Sequence, residues 1–73
     1  MLVAADALLG RKVVDARGQD VGVVVDVGTG ERWAPKFLLV NAKRGDGKPA
    51  YVRVELREVV DVGKDVLTVR AVN

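Results

Sequence analysis

The chain has 73 residues and a formal net charge of +2, and it contains no histidine, cysteine or serine. A chain of this length is expected to form one domain, over residues 1–73, with a small core and little stability to spare. The missing residue types exclude disulfides, imidazole or thiolate metal ligands and the commonest nucleophiles. We therefore expect no catalytic residue, no bound metal and no cofactor.

The chain begins with a short helical signal. Asp6 is a residue type that caps a helix start, and Gly10 is one that ends a helix. Between them the apolar pair Leu8 and Leu9 leads us to expect one helical turn, with one of the two leucines closing an end of the fold.

A hairpin follows. Residues 11–15 and 21–27 are rich in valine, which favours strands, and a turn containing Gly18 separates them. Simple alternation along the second strand places Val21, Val23, Val25 and Val27 on one face and Val24 on the other.

The rest of the chain contains four more strand signals. Glycine and proline punctuate residues 28–35 and 43–49, so both segments are predicted to be loops. Leu56-Arg57-Glu58 is predicted to form one tight turn. The strands are predicted at 36–42, 50–55, 59–62 and 66–72.

Short strands at this spacing favour closure, because closure removes exposed strand edges. The sequence therefore predicts an all-β fold: a small, partly open five- to six-stranded antiparallel β-barrel with one or two short helical turns.

Several strands are apolar on both faces, so some apolar side chains are expected outside the barrel. A second copy, another protein or the terminal segments would cover them, or they are ordinary exposed residues. Trp33, in a loop, is an interface anchor or a packing lid. The candidate interface residues are Val14, Val24, Trp33, Phe37, Leu39 and Val66.

Positive charge concentrates in the middle of the chain. Residues 32–57 hold seven basic and two acidic residues, which is either a solvated loop region or a surface for RNA, anionic lipid or an acidic protein. The candidate basic patch comprises Arg32, Lys36, Lys43, Arg44, Lys48, Arg53 and Arg57.

The aspartates of the strand ends are expected to accept hydrogen bonds from turn backbone rather than to act as an acid–base pair. Asp15, Asp20 and Asp26 flank the first hairpin, and Asp61 and Asp65 flank the last.

Residues 8–15, with the later Gly18, Gly22 and Val25-Asp26-Val27, resemble the PRC-barrel family, and residues 59–67 look like the last two strands of that family. The resemblance implies a non-catalytic adaptor. The family includes the cytoplasmic domain of the photosynthetic reaction-centre H subunit and the C-terminal domain of the ribosome maturation factor RimM. Single-domain archaeal members, some of them linked to cell division, are the most similar in length. The matching residues imply turn and register roles: Gly10, Asp15, Gly18, Gly22, Asp26, Gly63 and Asp65.

Together these observations lead us to expect a cytoplasmic, non-catalytic protein-binding adaptor, forming a homodimer and serving as an archaeal cell-division or scaffold component. We expect no membrane span and no small-molecule substrate. The alternative is an RNA- or ribosome-associated module that uses the basic patch.

Overall fold

The computed structural model describes residues 5–42 and 46–70, apart from the side chains of Ala5, Asp6 and Trp33. These residues form six strands and three short helical turns. The strands are β1 (Lys12–Asp15), β2 (Asp20–Thr29), β3 (Pro35–Asn41), β4 (Tyr51–Glu55), β5 (Val59–Val62) and β6 (Val66–Val69), and the turns are the helix α1 (Ala5–Leu8) and two 3-10 turns at Glu31–Trp33 and Leu56–Glu58.

All six strands belong to one sheet, in the order β4-β3-β2-β1-β6-β5. The predicted all-β, partly open fold is confirmed, because β4 and β5 end the sheet and do not pair with each other. The sheet is mixed rather than purely antiparallel, since β1 pairs with β6 in parallel, Lys12 opposite Val66 and Asp15 opposite Val69. Every other pairing is antiparallel.

A bulge in β2 reverses the predicted alternation at its centre. Val24 lies opposite Val40, but Asp26 lies opposite Leu39, so Val25 is an extra residue with no partner on β3. A bulge shifts the pleat by one residue. Val24 is consequently only 1% exposed, whereas Val25 is 44% exposed. The prediction that Val24 faces outward is wrong.

One apolar core joins both halves of the sheet. Residues directly opposite each other share a face of the sheet. Val13 lies opposite Leu67, and Leu38 lies opposite Val54, and all four side chains are buried in this core. The core residues are Leu8, Val13, Val24, Leu38, Val40, Val54, Leu67 and Val69.

The helix α1 closes one end of this core, as expected. Leu8 is buried in the core, and Leu9 is exposed. The Arg11 side chain holds the helix in place, because its Nε donates to the Ala7 carbonyl at 2.8 Å and its Nη1 donates to the carbonyl of Gly63, between β5 and β6.

Candidate functional site

The side of β2–β4 that points away from the core remains rich in apolar groups. In register, Val23 lies opposite Asn41 and Asn41 lies opposite Tyr51. The bulged Val25 adds a fourth side chain, and Val23, Val25 and Tyr51 are all exposed. We call this surface the outer face and define it by Val23, Val25, Asp26, Phe37, Leu39, Asn41, Tyr51, Arg53 and Glu55, so apolar side chains lie beside charged ones.

The interface residues predicted from the sequence fall into three groups. Phe37 and Leu39 lie on the outer face and are half-buried. Val14 and Val66 are also half-buried and share the outward side of β1 and β6 with Lys12. Val24 is unavailable to any partner because it belongs to the core. Trp33 is placed by its backbone in a 3-10 turn, and its side chain lies outside the described part of the structure.

Phe37 is held between two groups at the end of the outer face. A Cβ built on Gly28 would come within 2.0 Å of the Phe37 ring, so only glycine leaves room for the ring on that side. On the other side the Arg53 guanidinium lies 3.9 Å from the ring centroid, a cation–π arrangement. Arg53 also donates from Nε to Glu55 Oε1 at 2.9 Å.

A shallow basic depression adjoins this aromatic ring. Pro35, Lys36, Arg53, Glu55 and Arg57 line it, and its volume is about 440 Å³. Three cations and one carboxylate leave it positively charged, and the described carboxylate is already paired with Arg53. A negatively charged group is therefore the complementary ligand.

The described residues of the predicted basic patch lie at two different ends of β3. Lys36 stands at the start of β3, whereas Lys48 lies beyond its end, in the β3–β4 loop. Asn41 is five positions further along the strand than Lys36, a distance of about 16 Å at 3.3 Å per residue. Arg32 lies at the same end as Lys36, in the first 3-10 turn. Lys43 and Arg44 lie outside the described residues.

A second depression lies where β1, β2 and β3 meet, lined by Lys12, Asp20, Val21, Gly22, Val23 and Asn41. The Asn41 Oδ1 atom is buried there and has no hydrogen-bond partner among the residues that the structure describes, a state that costs about 1–3 kcal/mol. Backbone packing is close at this point, because a Cβ on Gly22 would lie 2.2 Å from the Asn41 carbonyl oxygen. The sequence contains no signal for this orphaned amide, since it arises from pairing across the sheet.

The free edge of β4 is a feature that sequence reasoning missed. The Ala42 N–H donates to the Ala50 carbonyl at 2.7 Å, so Ala42 and Ala50 stand at a hydrogen-bonded position of the ladder, and every second pair, starting with the next one, stands at a non-hydrogen-bonded position. Tyr51 and Arg53 lie in those alternate pairs, opposite Asn41 and Leu39. Their N–H and C=O groups therefore point away from β3, and no described strand pairs with that side of β4.

The buried aspartate of the first hairpin, Asp15, accepts hydrogen bonds from the backbone of the turn that follows it. Asp15 is buried, and its Oδ1 accepts hydrogen bonds from the N–H groups of Arg17 at 2.8 Å and Gln19 at 3.0 Å. Among the described residues there is no group of three or more acidic side chains placed to hold a metal ion. No helix in that part of the chain is long and apolar enough to cross a membrane.

The described residues define the class of small all-β domains, with a packed core, several exposed apolar residues on the outer face and an open strand edge. The family comparison makes this class specific. The model of the PRC-barrel domain matches residues 2–73, and the chain belongs to that family, as its sequence resemblance indicated. No curated protein matches the chain significantly.

Proposed function

We propose that this chain is a non-catalytic adaptor that binds another protein through its outer face. The main support for this proposal is that apolar side chains are present on both sides of the sheet, although only one side is covered by the core. The inner side is a packed core, yet Val23, Val25 and Tyr51 stay exposed beside the half-buried Phe37 and Leu39. Exposed apolar groups gathered on one surface are typical of protein interfaces, and the family membership supports the same role.

A second copy of the chain is the first partner to test. Light scattering after size exclusion should give about twice the mass of the 7.8 kDa chain at high concentration. Val23→Asp should shift the protein to a monomer, because it replaces an exposed valine of the outer face with a charged residue. Val60→Asp is the matched control, since Val60 is also an exposed valine but lies on β5, away from the outer face.

If the wild type is a monomer, the hypothesis of self-association is rejected, and a different protein becomes the proposed partner. Wild type, Val23→Asp and Val60→Asp, each immobilised, should then differ in what they retain from extracts of the native host. A specific protein retained by the first and third and lost by the second supports the adaptor role. Equal retention by all three contradicts it.

The finer role that we propose is that of a cytoplasmic, single-domain scaffold in archaeal cell division, supported by the resemblance to single-domain archaeal members with that link. A fluorescent fusion should concentrate at the division site in the native host. Uniform fluorescence throughout division would contradict this role and leave the adaptor proposal in place.

RNA or ribosome binding is the second candidate, and the basic depression is the observation that favours it. Lys36, Arg53 and Arg57 line one depression, and their positive charge is complementary to phosphate. Against it stand the separation of Lys48 from that end and the pairing of Arg53 with Glu55. Phosphate-driven binding weakens steeply with salt, so titration with ribosomal RNA at rising salt should show a steep loss of affinity if this candidate holds.

A further inference from the structure

We propose that β4 accepts an extended segment of a partner protein as a seventh strand, and that this segment alternates acidic with apolar residues. The inference deepens the proposed adaptor function and rests on it. It assigns the chemistry of the partner from the free edge of β4, from an uncovered valine and from the charge of the basic depression.

The backbone of β4 is ready for strand addition. Tyr51 and Arg53 each direct one N–H donor and one C=O acceptor away from β3, as the ladder pattern requires. An added strand would hydrogen-bond to both residues. Such pairing supplies affinity through the main chain, and the side chains on alternate positions supply specificity.

Val52 indicates what the inward-pointing residues of the added strand should be. It lies opposite Val40, which is fully buried, and so it points toward the core side of the sheet. It is nevertheless 38% exposed, because no described strand lies beyond β4. An apolar residue on the added strand would cover Val52 and extend the core.

Arg53 indicates what the outward-pointing residues should be. A residue of the added strand directly opposite Arg53 would have its Cβ about 5 Å from the Arg53 Cβ. Lys36 and Arg57 line the same depression as Arg53, so an Asp or Glu at that position meets a surplus of positive charge. Because strand side chains alternate with period two, the acidic and apolar positions alternate whichever way the segment runs.

The test uses two labelled twelve-residue peptides, one alternating Glu with Val and the other alternating Lys with Val. Fluorescence anisotropy should show the Glu peptide binding the full chain at least tenfold more tightly than the Lys peptide. Raising the salt concentration should reduce this difference, because the discriminating contacts are between charged groups near the surface.

Two proline variants test whether the edge is the site. Tyr51→Pro removes an N–H that points into the open edge, so the fold should survive, as edge strands tolerate proline there. Tyr51→Pro should lower the affinity for the Glu peptide at least tenfold, whereas Tyr51→Ala should lower that affinity less than threefold. Val52→Pro removes an N–H that bonds to β3 and should markedly lower the melting temperature.

Each other outcome overturns the proposal in a recognisable way. No binding of the Glu peptide, equal binding of the Lys peptide, or unchanged binding by a folded Tyr51→Pro variant would each refute it. An RNA oligonucleotide that binds while neither peptide does would reassign the depression to nucleic acid. If Val23→Asp loses its protein partner while Tyr51→Pro keeps it, the adaptor function stands and strand addition fails; if both variants keep the partner, both proposals fail.

Discussion

The bulge in β2 predicts opposite consequences for two adjacent valines. Val24→Ala removes two buried carbon groups, which costs about 1.6 kcal/mol at 0.8 kcal/mol per buried CH₂. Val24 is 1% exposed at the centre of the core, so a cavity term raises the expected loss in unfolding free energy to about 2–3 kcal/mol. Val25→Ala removes the same atoms from a side chain that is 44% exposed, and we expect a loss of about 0.5–1 kcal/mol.

The assay is urea unfolding followed by far-UV circular dichroism, with a thermal melt as a second measurement. The difference of about 2 kcal/mol between the variants corresponds to roughly 8–16 °C in melting temperature for a domain of this size. An unchanged urea m-value would show that the variants differ in stability rather than in the surface exposed on unfolding. Equal losses, or a larger loss for Val25→Ala, would refute the placement of the bulge.

Three further substitutions test other parts of the fold. Asn41→Val should raise the unfolding free energy by about 1–2 kcal/mol in urea, because it removes a buried carbonyl oxygen that no described residue hydrogen-bonds; a loss of stability would mean that the amide is satisfied. Gly22→Ala should cost about 3 kcal/mol or more, because its Cβ meets backbone, whereas Gly18→Ala, also at positive φ but with open space around it, should cost about 1 kcal/mol; similar values would argue against the close approach of β2 and β3. Leu8→Ala should cost about 2–4 kcal/mol and the exposed Leu9→Ala less than 1 kcal/mol, and a harmless Leu8→Ala would show that α1 does not close the core.

Local patterns in the sequence predicted the strands well. The predicted β5 at 59–62 and turn at 56–58 match the structure, and β4 differs by one residue. Valine-rich runs bounded by glycine and proline suffice for such predictions, because strand preference and turn chemistry are local properties. The main local error is the predicted loop from residue 28, since β2 continues to Thr29.

The faces of the strands were harder to predict, because one extra residue reverses the alternation. Val24 is the clearest case, because the extra residue Val25 follows it. Val60 is a second extra residue, between the paired Val59 and Asp61 of β5. A bulge depends on how the neighbouring strand pairs, and a single strand does not carry that information.

The candidate site depends on long-range topology, and the sequence therefore predicted only part of it. Phe37 and Leu39 were expected outside the barrel and lie on the outer face. The division of the basic patch, the cation–π contact of Arg53 with Phe37 and the open edge of β4 all follow from which strands are neighbours. The parallel pairing of β1 with β6 joins distant parts of the chain, and no local sequence pattern predicts that pairing.

Residue-resolved amide exchange, measured by NMR on the free chain and on its complex with the Glu-Val peptide, tests the binding account most directly. In the free protein the Tyr51 and Arg53 amides should exchange rapidly, while the Val52 and Val54 amides, bonded to β3, should be protected. In the complex the first pair should become protected as well. Protection of Tyr51 and Arg53 in the free protein, or their continued rapid exchange in a saturated complex, would contradict the claim that β4 is an open edge that a partner completes.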